Sequence, residues 1–372
     1  MKLIAESGLW RIGPAVAAVP LVAVAEVDGA VLAWTVDESG EHTAQITVTD
    51  ADRADWLWRV LGESGHSAVA AAATQPPEQA AEVELSGVEV HPGTLDGLHR
   101  LAFGHWLRRW WPASIRDGIA GLDPALLDAE IALVTAQAED FVGEDTLDAD
   151  IGALLAPHAA ALTVHLLLGE PRVTDLVVRS VRLAEDIGVD AQGWAELIDA
   201  VEDMAGTAAP TSAHRDDYAL AAGADTAAAP VGLIARGATS LAWSAVPGAV
   251  FDAAEDTVSW AVSADGDRVG AVLHVALVGP GSPAGIPIEL HCNGFDATGV
   301  LDESGRAAIE FHDATAAQAW DQDWSATAVT VGAQATEPKE ARDRVRRFAR
   351  RRLAEPGPDA YLAEILAAES DY

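Results

Sequence analysis

Cysteine and lysine are scarce in this chain of 372 residues, and its net charge is negative. The single cysteine, Cys292, excludes an internal disulfide framework and a cysteine-rich zinc module. Near the start, Glu6 stands where a signal peptide would have apolar residues. The longest apolar run there, Ala15 to Ala25, is interrupted by Pro20 and is too short to span a bilayer. We therefore expect a cytoplasmic protein without a membrane span.

Acidic residues outnumber basic residues by 58 to 23, which gives a formal net charge of −35. The segment Lys339–Arg352 is the exception, because it has eight basic and two acidic residues and a local charge of +6, leaving −41 for the rest of the chain. A body with that charge repels phosphate backbones. We expect protein partners, and no nucleic-acid binding through the main domains. The preference for arginine over lysine is typical of a GC-rich bacterial coding sequence.

The hydrophobic pattern changes from a period of two to a period of 3.6 near Thr94 and changes back near Val231. The fold class that this predicts is α+β and multi-domain. We expect a small N-terminal α/β domain, a central antiparallel helical bundle, a linker, a C-terminal β-sandwich with an immunoglobulin-like pattern, and a terminal helical appendix with the Arg-rich helix. The predicted boundaries, in that order, are 1–92, 94–206, 207–230, 231–333 and 336–372.

Local signals place several elements inside these units. Asp28-Gly29 predicts a hairpin turn, and Asp123-Pro124 predicts the start of a helix. Pro157 predicts a kink in a helix over 147–168. The stretch His66–Ala73, which follows Gly65, is predicted to be extended.

Motifs for nucleotide binding and catalysis are missing. The glycine-rich loop Gly279–Gly285 lacks the Lys-Ser/Thr ending of a phosphate-binding loop and precedes a strand instead of a helix. The chain has no Gly-x-Ser-x-Gly and no His-Glu-x-x-His. We therefore predict no catalytic residue and no cofactor.

Four residues of the predicted β-sandwich are candidate metal ligands: His274, His291, Cys292 and His312. Zinc accepts imidazole and thiolate ligands, and adjacent strands can bring distant positions together. Neighbouring residues of a strand point to opposite faces, however, so His291 and Cys292 cannot both face one ion. We predict no metal site, with these four residues as the weak candidates.

The Arg-rich helix is the strongest candidate for partner docking. An apolar stripe formed by Ala341, Val345, Phe348 and Leu353 gives it a face to bury. We expect the helix to dock first onto the acidic body of the same chain, and then onto a partner. An acidic protein, RNA and anionic lipid are the alternatives, and an ATPase-type machine is one partner that we consider. The predicted docking residues are Arg342, Val345, Arg346, Phe348 and Arg350.

Three function classes are compatible with these observations. The leading hypothesis is a non-catalytic interaction or assembly component of a bacterial cytoplasmic complex, because clustered catalytic residues are missing. The first alternative is an enzyme with an unrecognised interdomain active site. The second is a sensor that binds a small molecule or glycan on tryptophans of the β-sandwich, namely Trp243, Trp260, Trp320 and Trp324.

Overall fold

The computed structural model describes residues 1–38, 43–74, 82–143, 147, 150–206, 232–312 and 314–370. The predicted linker over 207–230 lies outside these residues. Helices and three antiparallel sheets make the described part a mixed α+β protein, as the sequence predicts. None of the three sheets closes into a barrel.

The N-terminal sheet is antiparallel and has six strands in the order β3-β4-β5-β2-β1-β6. The strands are β1 (Lys2–Glu6), β2 (Leu9–Ile12), β3 (Val22–Val27), β4 (Ala30–Thr35), β5 (Gln45–Val48) and β6 (Glu82–Glu84). The predicted hairpin joins β3 to β4, with Val27 paired to Ala30 across the turn. Gly29 has a φ of 75° in this turn, a conformation that glycine adopts without strain.

The prediction of an extended stretch over His66–Ala73 is wrong, because these residues belong to helix α1 (Trp58–Ala73), which is broken at Gly62. The segment is rich in alanine, the residue with the highest helix propensity. Val69 and Ala72, three positions apart, are buried on one face, so the period here is helical.

Six further helices follow among the described residues up to 206. They are α2 (Asp96–Trp110), α3 (Pro124–Val142), α4 (Ile151–Leu155), α5 (Ala159–Leu168), α6 (Pro171–Ile187) and α7 (Trp194–Gly206). Asp123 caps α3 by accepting hydrogen bonds from the amides of Ala125 and Leu126, as Asp123-Pro124 predicts. A 3-10 turn over Ala156–His158 separates α4 from α5, which places the predicted kink at Pro157.

The C-terminal strands form two antiparallel sheets around a second hydrophobic core. One sheet has the order β12-β9-β8-β7 and the other β11-β10-β13. The strands are β7 (Leu233–Thr239), β8 (Val258–Asp265), β9 (Arg268–Val275), β10 (Pro287–Cys292), β11 (Phe295–Val300), β12 (Arg306–Glu310) and β13 (Ala328–Val331). A short helix that the sequence analysis missed, α8 (Ala316–Asp321), is fixed by a capping box between Thr315 and Gln318.

The chain ends in helices α9 (Lys339–Ala354) and α10 (Leu362–Ser370). Their buried residues, including Val345, Phe348 and Tyr361, belong to the first hydrophobic core together with the N-terminal sheet and helices. The two cores therefore do not follow chain order, because the chain returns from the second core to the first. We call the described residues up to 206, which hold most of the first core, the helical part, and the described residues 232–331, which hold the second core, the β-rich part. The return of the chain places α9 beside loops of both parts.

One helical stretch of the described residues, Ile151–Leu168, is apolar and long enough to cross a membrane by length and composition, with a mean hydropathy of 1.7. One such stretch is weak evidence for a membrane span, since core helices of soluble proteins pass the same test. The stretch is also divided by the turn at Pro157. Only 33% of it is buried within the chain.

Candidate functional site

The inner face of α9 is part of the first hydrophobic core. Its spacing of apolar residues places Val345 and Ala349 on one side, and both are fully buried. The Phe348 ring meets the Phe103 and Trp106 rings edge-on, with centroids 6.0 Å and 5.6 Å away. These are favourable aromatic geometries, so α9 is held by shape as well as by charge.

Two arginines on this face meet a single carboxylate, Glu255, which lies in the loop before β8. Arg342 donates from Nε and Nη2 to its two oxygens at 3.0 Å and 2.9 Å. Arg346 Nη2 donates to Oε1 at 2.7 Å and to Asp343 at 2.5 Å. Asp117, from the segment between α2 and α3, lies 3.6 Å from Arg346 and 3.2 Å from Arg350. We call Glu255, Asp117, Asp343, Arg342 and Arg346 the inner ion cluster.

Burial alone would raise the pKa of Glu255, but the hydrogen bonds from Arg342, Ser240 and Arg346 outweigh it and lower the pKa to about 2. The carboxylate is therefore charged throughout the physiological range. Because Glu255 comes from the β-rich part and Asp117 from the helical part, the inner ion cluster joins both parts to α9.

The outer face of α9 is also basic. Arg344 pairs with Asp37 at 2.7 Å, whereas Arg347 and Arg351 are exposed and form no ion pair with a described residue. The guanidinium of Arg351 lies 5.5 Å from the centre of the Phe348 ring. Arg350 has a half-exposed side chain and lies at the edge of this face.

Of the five predicted docking residues, four lie against the chain itself: Arg342, Val345, Arg346 and Phe348 are buried. Arg350 alone reaches solvent. The sequence analysis did not single out Arg347 and Arg351, the exposed pair. The helical spacing could have found them, because they lie one turn apart and opposite the stripe of Val345 and Ala349.

The four metal candidates are not brought together. Along β10 the pattern alternates, so Cys292 is buried in the second core while His291 faces solvent and contacts Asp296. His274 is on β9 in the other sheet, and His312 follows β12. Within the described residues, no group of three or more His, Cys, Asp or Glu side chains has the geometry to hold a metal ion.

A cleft of about 940 Å³ lies between the helical part and two loops of the β-rich part. The C-terminal turn of α2, the start of α3 and the turn at Pro157 form one wall, and the loops at Gly248 and Gly279–Gly281 form the other. A side chain at Gly248 would come within 2.7 Å of the Arg109 carbonyl oxygen, so only glycine allows this close approach. The backbones of the two parts are therefore in close contact at the edge of the cleft.

A buried carboxylate, Asp128, lies on the helical wall of the cleft. His158 Nε2 is 2.9 Å from Asp128 Oδ2, and Arg108 Nε is 2.8 Å from Oδ1 as an ion pair without hydrogen-bond geometry. Such a carboxylate can fix the orientation of an imidazole and support it as a proton acceptor. In the same cleft, burial lowers the pKa of His105, and the positive charge of the nearby Arg108 lowers it to a smaller extent.

A second carboxylate–imidazole pair joins α5 to the start of α3, where His165 Nε2 is 2.8 Å from Asp123 Oδ2. Burial alone would raise the pKa of Asp123, but the hydrogen bonds with His165 and with the amides of Leu126 and Ala125 outweigh burial and hold the pKa below its usual value. The residues that line the cleft include no Ser, Thr or Cys nucleophile. The arrangement can bind a small molecule or transfer a proton, and covalent catalysis by a lining hydroxyl or thiol has no candidate.

Three of the four tryptophans proposed as a ligand platform, Trp243, Trp260 and Trp324, are buried. Trp320 on α8 is exposed. A separate cavity of about 520 Å³ lies next to α8 and is lined by polar and aromatic residues including Asp296, His312 and Gln318. Of these four tryptophans, Trp320 is therefore the one whose indole is open to solvent.

Comparison with known proteins finds no family model, no curated protein and no solved structure that matches this chain. The function is therefore inferred from the chemistry of the sites themselves.

Proposed function

We propose that this chain is a non-catalytic interaction and assembly component of a bacterial cytoplasmic complex, in which α9 binds an acidic segment of a protein partner. The observation that carries the proposal is the outer face of α9, where Arg347 and Arg351 are exposed without an ion pair to a described residue. The rest of the chain carries −41 and repels an acidic partner. An acidic segment is therefore attracted most strongly to this face.

The inner ion cluster and the apolar face support this role because they hold α9 rigidly before a partner arrives. A preformed helix loses little conformational entropy on binding. Arg342, Val345, Arg346 and Phe348 then act as the residues that fix the helix, and Arg350 borders the docking face. The acidic body can in addition attract basic surfaces, so that a large assembly such as an ATPase-type machine is a suitable setting.

We propose that the chain has the domain organisation that the sequence predicts. A small α/β domain covers 1–92, a helical bundle covers 94–206, a linker covers 207–230, an immunoglobulin-like sandwich covers 231–333, and the appendix covers 336–372. In this organisation the appendix is the connection between the units and the element that meets the partner.

Purification of the tagged chain from its native host tests the proposal. We expect a stoichiometric partner with wild type at 0.1 M salt and its release at 1 M salt, because the Debye length falls from about 10 Å to 3 Å. The R347E/R351E variant should lose this partner. The control variant R179E/R182E makes the same change of charge at two exposed positions of α6, one of which, Arg179, pairs with Asp175 at 3.8 Å, and it should retain the partner. A partner that stays with R347E/R351E, or no stoichiometric partner at all, would contradict the proposal.

The cleft favours a second candidate function, binding or conversion of a small molecule beside Asp128 and His158. Its volume and its few converging polar groups are typical of ligand sites. Mass spectrometry of small molecules that copurify with the chain tests it. We expect a compound with wild type that is lost from Leu122→Trp, which fills the cleft, and retained by Leu9→Trp in β2. A wild-type protein that carries no compound would count against this candidate.

A further inference from the structure

The exposed face of α5 is apolar, although the chain as a whole is strongly acidic. From Ile151 to Gly169 no residue is Asp, Glu, Lys or Arg. Val164, Leu167 and Leu168 expose 57%, 77% and 67% of their surface to solvent. They follow an i, i+3, i+4 spacing, so that they form one continuous patch on one side of the helix. Such patches on soluble proteins mark interaction sites.

We propose that two copies of this chain associate through α5, in an antiparallel two-fold contact with Val164 of both copies on the axis. The occupant of the patch is then a second copy of the same chain. This contact uses α5 and not α9, so that it does not rest on the proposed function.

Charge favours a second copy on this face. Each copy carries −35, so two copies repel one another wherever carboxylates meet. The segment from Ile151 to Gly169 has no Asp, Glu, Lys or Arg, so two copies can approach here without bringing carboxylates face to face. Its two histidines already contact carboxylates of this chain, His158 with Asp128 and His165 with Asp123, so the exposed apolar residues offer no ion pair to a charged partner.

The order of small and large residues along α5 is self-complementary. In an antiparallel contact centred on Val164, Ala160 lies opposite Leu168 of the other copy, and Ala161 lies opposite Leu167. Large residues of one helix then cover small residues of the other, the arrangement that close helix packing requires. Both exposed alanines and both exposed leucines are on the same face. A two-fold contact is isologous, so that each pair occurs twice.

Sedimentation equilibrium of the full chain is the first test. We expect wild type to form a concentration-dependent dimer. The L167D/L168D variant should have a dissociation constant raised about 100-fold or more, because two central apolar contacts are replaced by facing carboxylates. The control Val300→Asp introduces a carboxylate in place of an apolar side chain at a residue of β11 that is 60% exposed, and it should leave the dimer unchanged.

Disulfide trapping under mild oxidation tests the register. Val164→Cys should give a covalent dimer, because the two copies of residue 164 meet at the axis. Leu168→Cys alone should not, because its two copies would lie about 12 Å apart along the helices, beyond the reach of a disulfide. A mixture of Ala160→Cys and Leu168→Cys should be trapped. The native Cys292 is buried, so wild type is the unreactive control.

The proposal would be overturned if the wild-type chain remained a monomer even at a concentration 100-fold above that of the cysteine experiment. A membrane or a different protein would then be the occupant of the patch. A dimer that L167D/L168D does not weaken would overturn it as well. Equal trapping of the variants at 164 and 168 would refute the register. If Val164→Cys does not keep the wild-type melting temperature, the sedimentation result alone decides whether α5 is the contact.

Discussion

Replacement of Glu255 by glutamine should weaken the attachment of α9 to the β-rich part. Glu255 accepts hydrogen bonds from Arg342, Arg346 and Ser240, and its side chain is 22% exposed. The fall in the pKa of Glu255 from 4.5 to about 2 corresponds to about 3 kcal/mol, because a tenfold change in proton affinity is worth about 1.36 kcal/mol. We therefore expect Glu255→Gln to lower the free energy of unfolding by about 3 kcal/mol at pH 7.

Removal of one partner from a buried ion pair can cost about 3–5 kcal/mol, because the other charge is left without compensation. Glu255→Gln should fall at the lower end of that range. Arg346 keeps Asp343 at 2.5 Å, and Arg342 keeps the more distant Glu337 at 4.0 Å. The measurement is urea unfolding followed by circular dichroism. The control Glu310→Gln, at an exposed position of β12, should change stability by less than about 0.5 kcal/mol.

The effect of Glu255→Gln should depend on pH with a defined sign. The pKa of Glu255 is lower in the folded chain than in the unfolded chain, so its contribution is complete above pH 4.5 and is lost as pH falls through about 2. At pH 3 the difference between wild type and Glu255→Gln should therefore shrink to about 1.4 kcal/mol. A variant as stable as wild type at pH 7, or a difference that grows in acid, would refute the role given to the inner ion cluster.

Three further predictions concern the first hydrophobic core, and urea unfolding measures each of them. Gly104→Ala should destabilise the chain by about 1–3 kcal/mol, because a Cβ there would contact the Tyr361 hydroxyl. Gly97→Ala in the same helix has free space and should stabilise the chain by about 0.5–1 kcal/mol. Equal effects of the two substitutions would contradict this prediction. Phe348→Ala should cost about 3–5 kcal/mol, and a cost below 1 would show that α9 is not packed in the core. Tyr361→Phe, which removes the hydrogen bond to the Arg100 carbonyl, should cost about 0.5–1.5 kcal/mol and should reduce the penalty of Gly104→Ala.

Properties that depend on short-range order were predictable from the sequence. The α+β class follows from the change of hydrophobic period, and the break at Pro157 follows from the missing amide hydrogen of proline. The apolar stripe of α9 could be read from its spacing, because side chains three and four residues apart always share a helix face. The local rule failed at His66–Ala73, where an alanine-rich run forms helix although it follows a glycine.

Only the tertiary structure decided what the sites contain. Glu255 and Asp117 are far in sequence from Arg346, and no periodicity states that their segments meet α9. The return of the chain from the second core to the first brings them together, and it therefore decides which arginines are buried and which are exposed. Likewise Asp128 and His158 are thirty positions apart and became a pair through the packing of α3 against the turn at Pro157. Periodicity records which residues avoid water, whereas ion pairs depend on which distant segments share that dry surface.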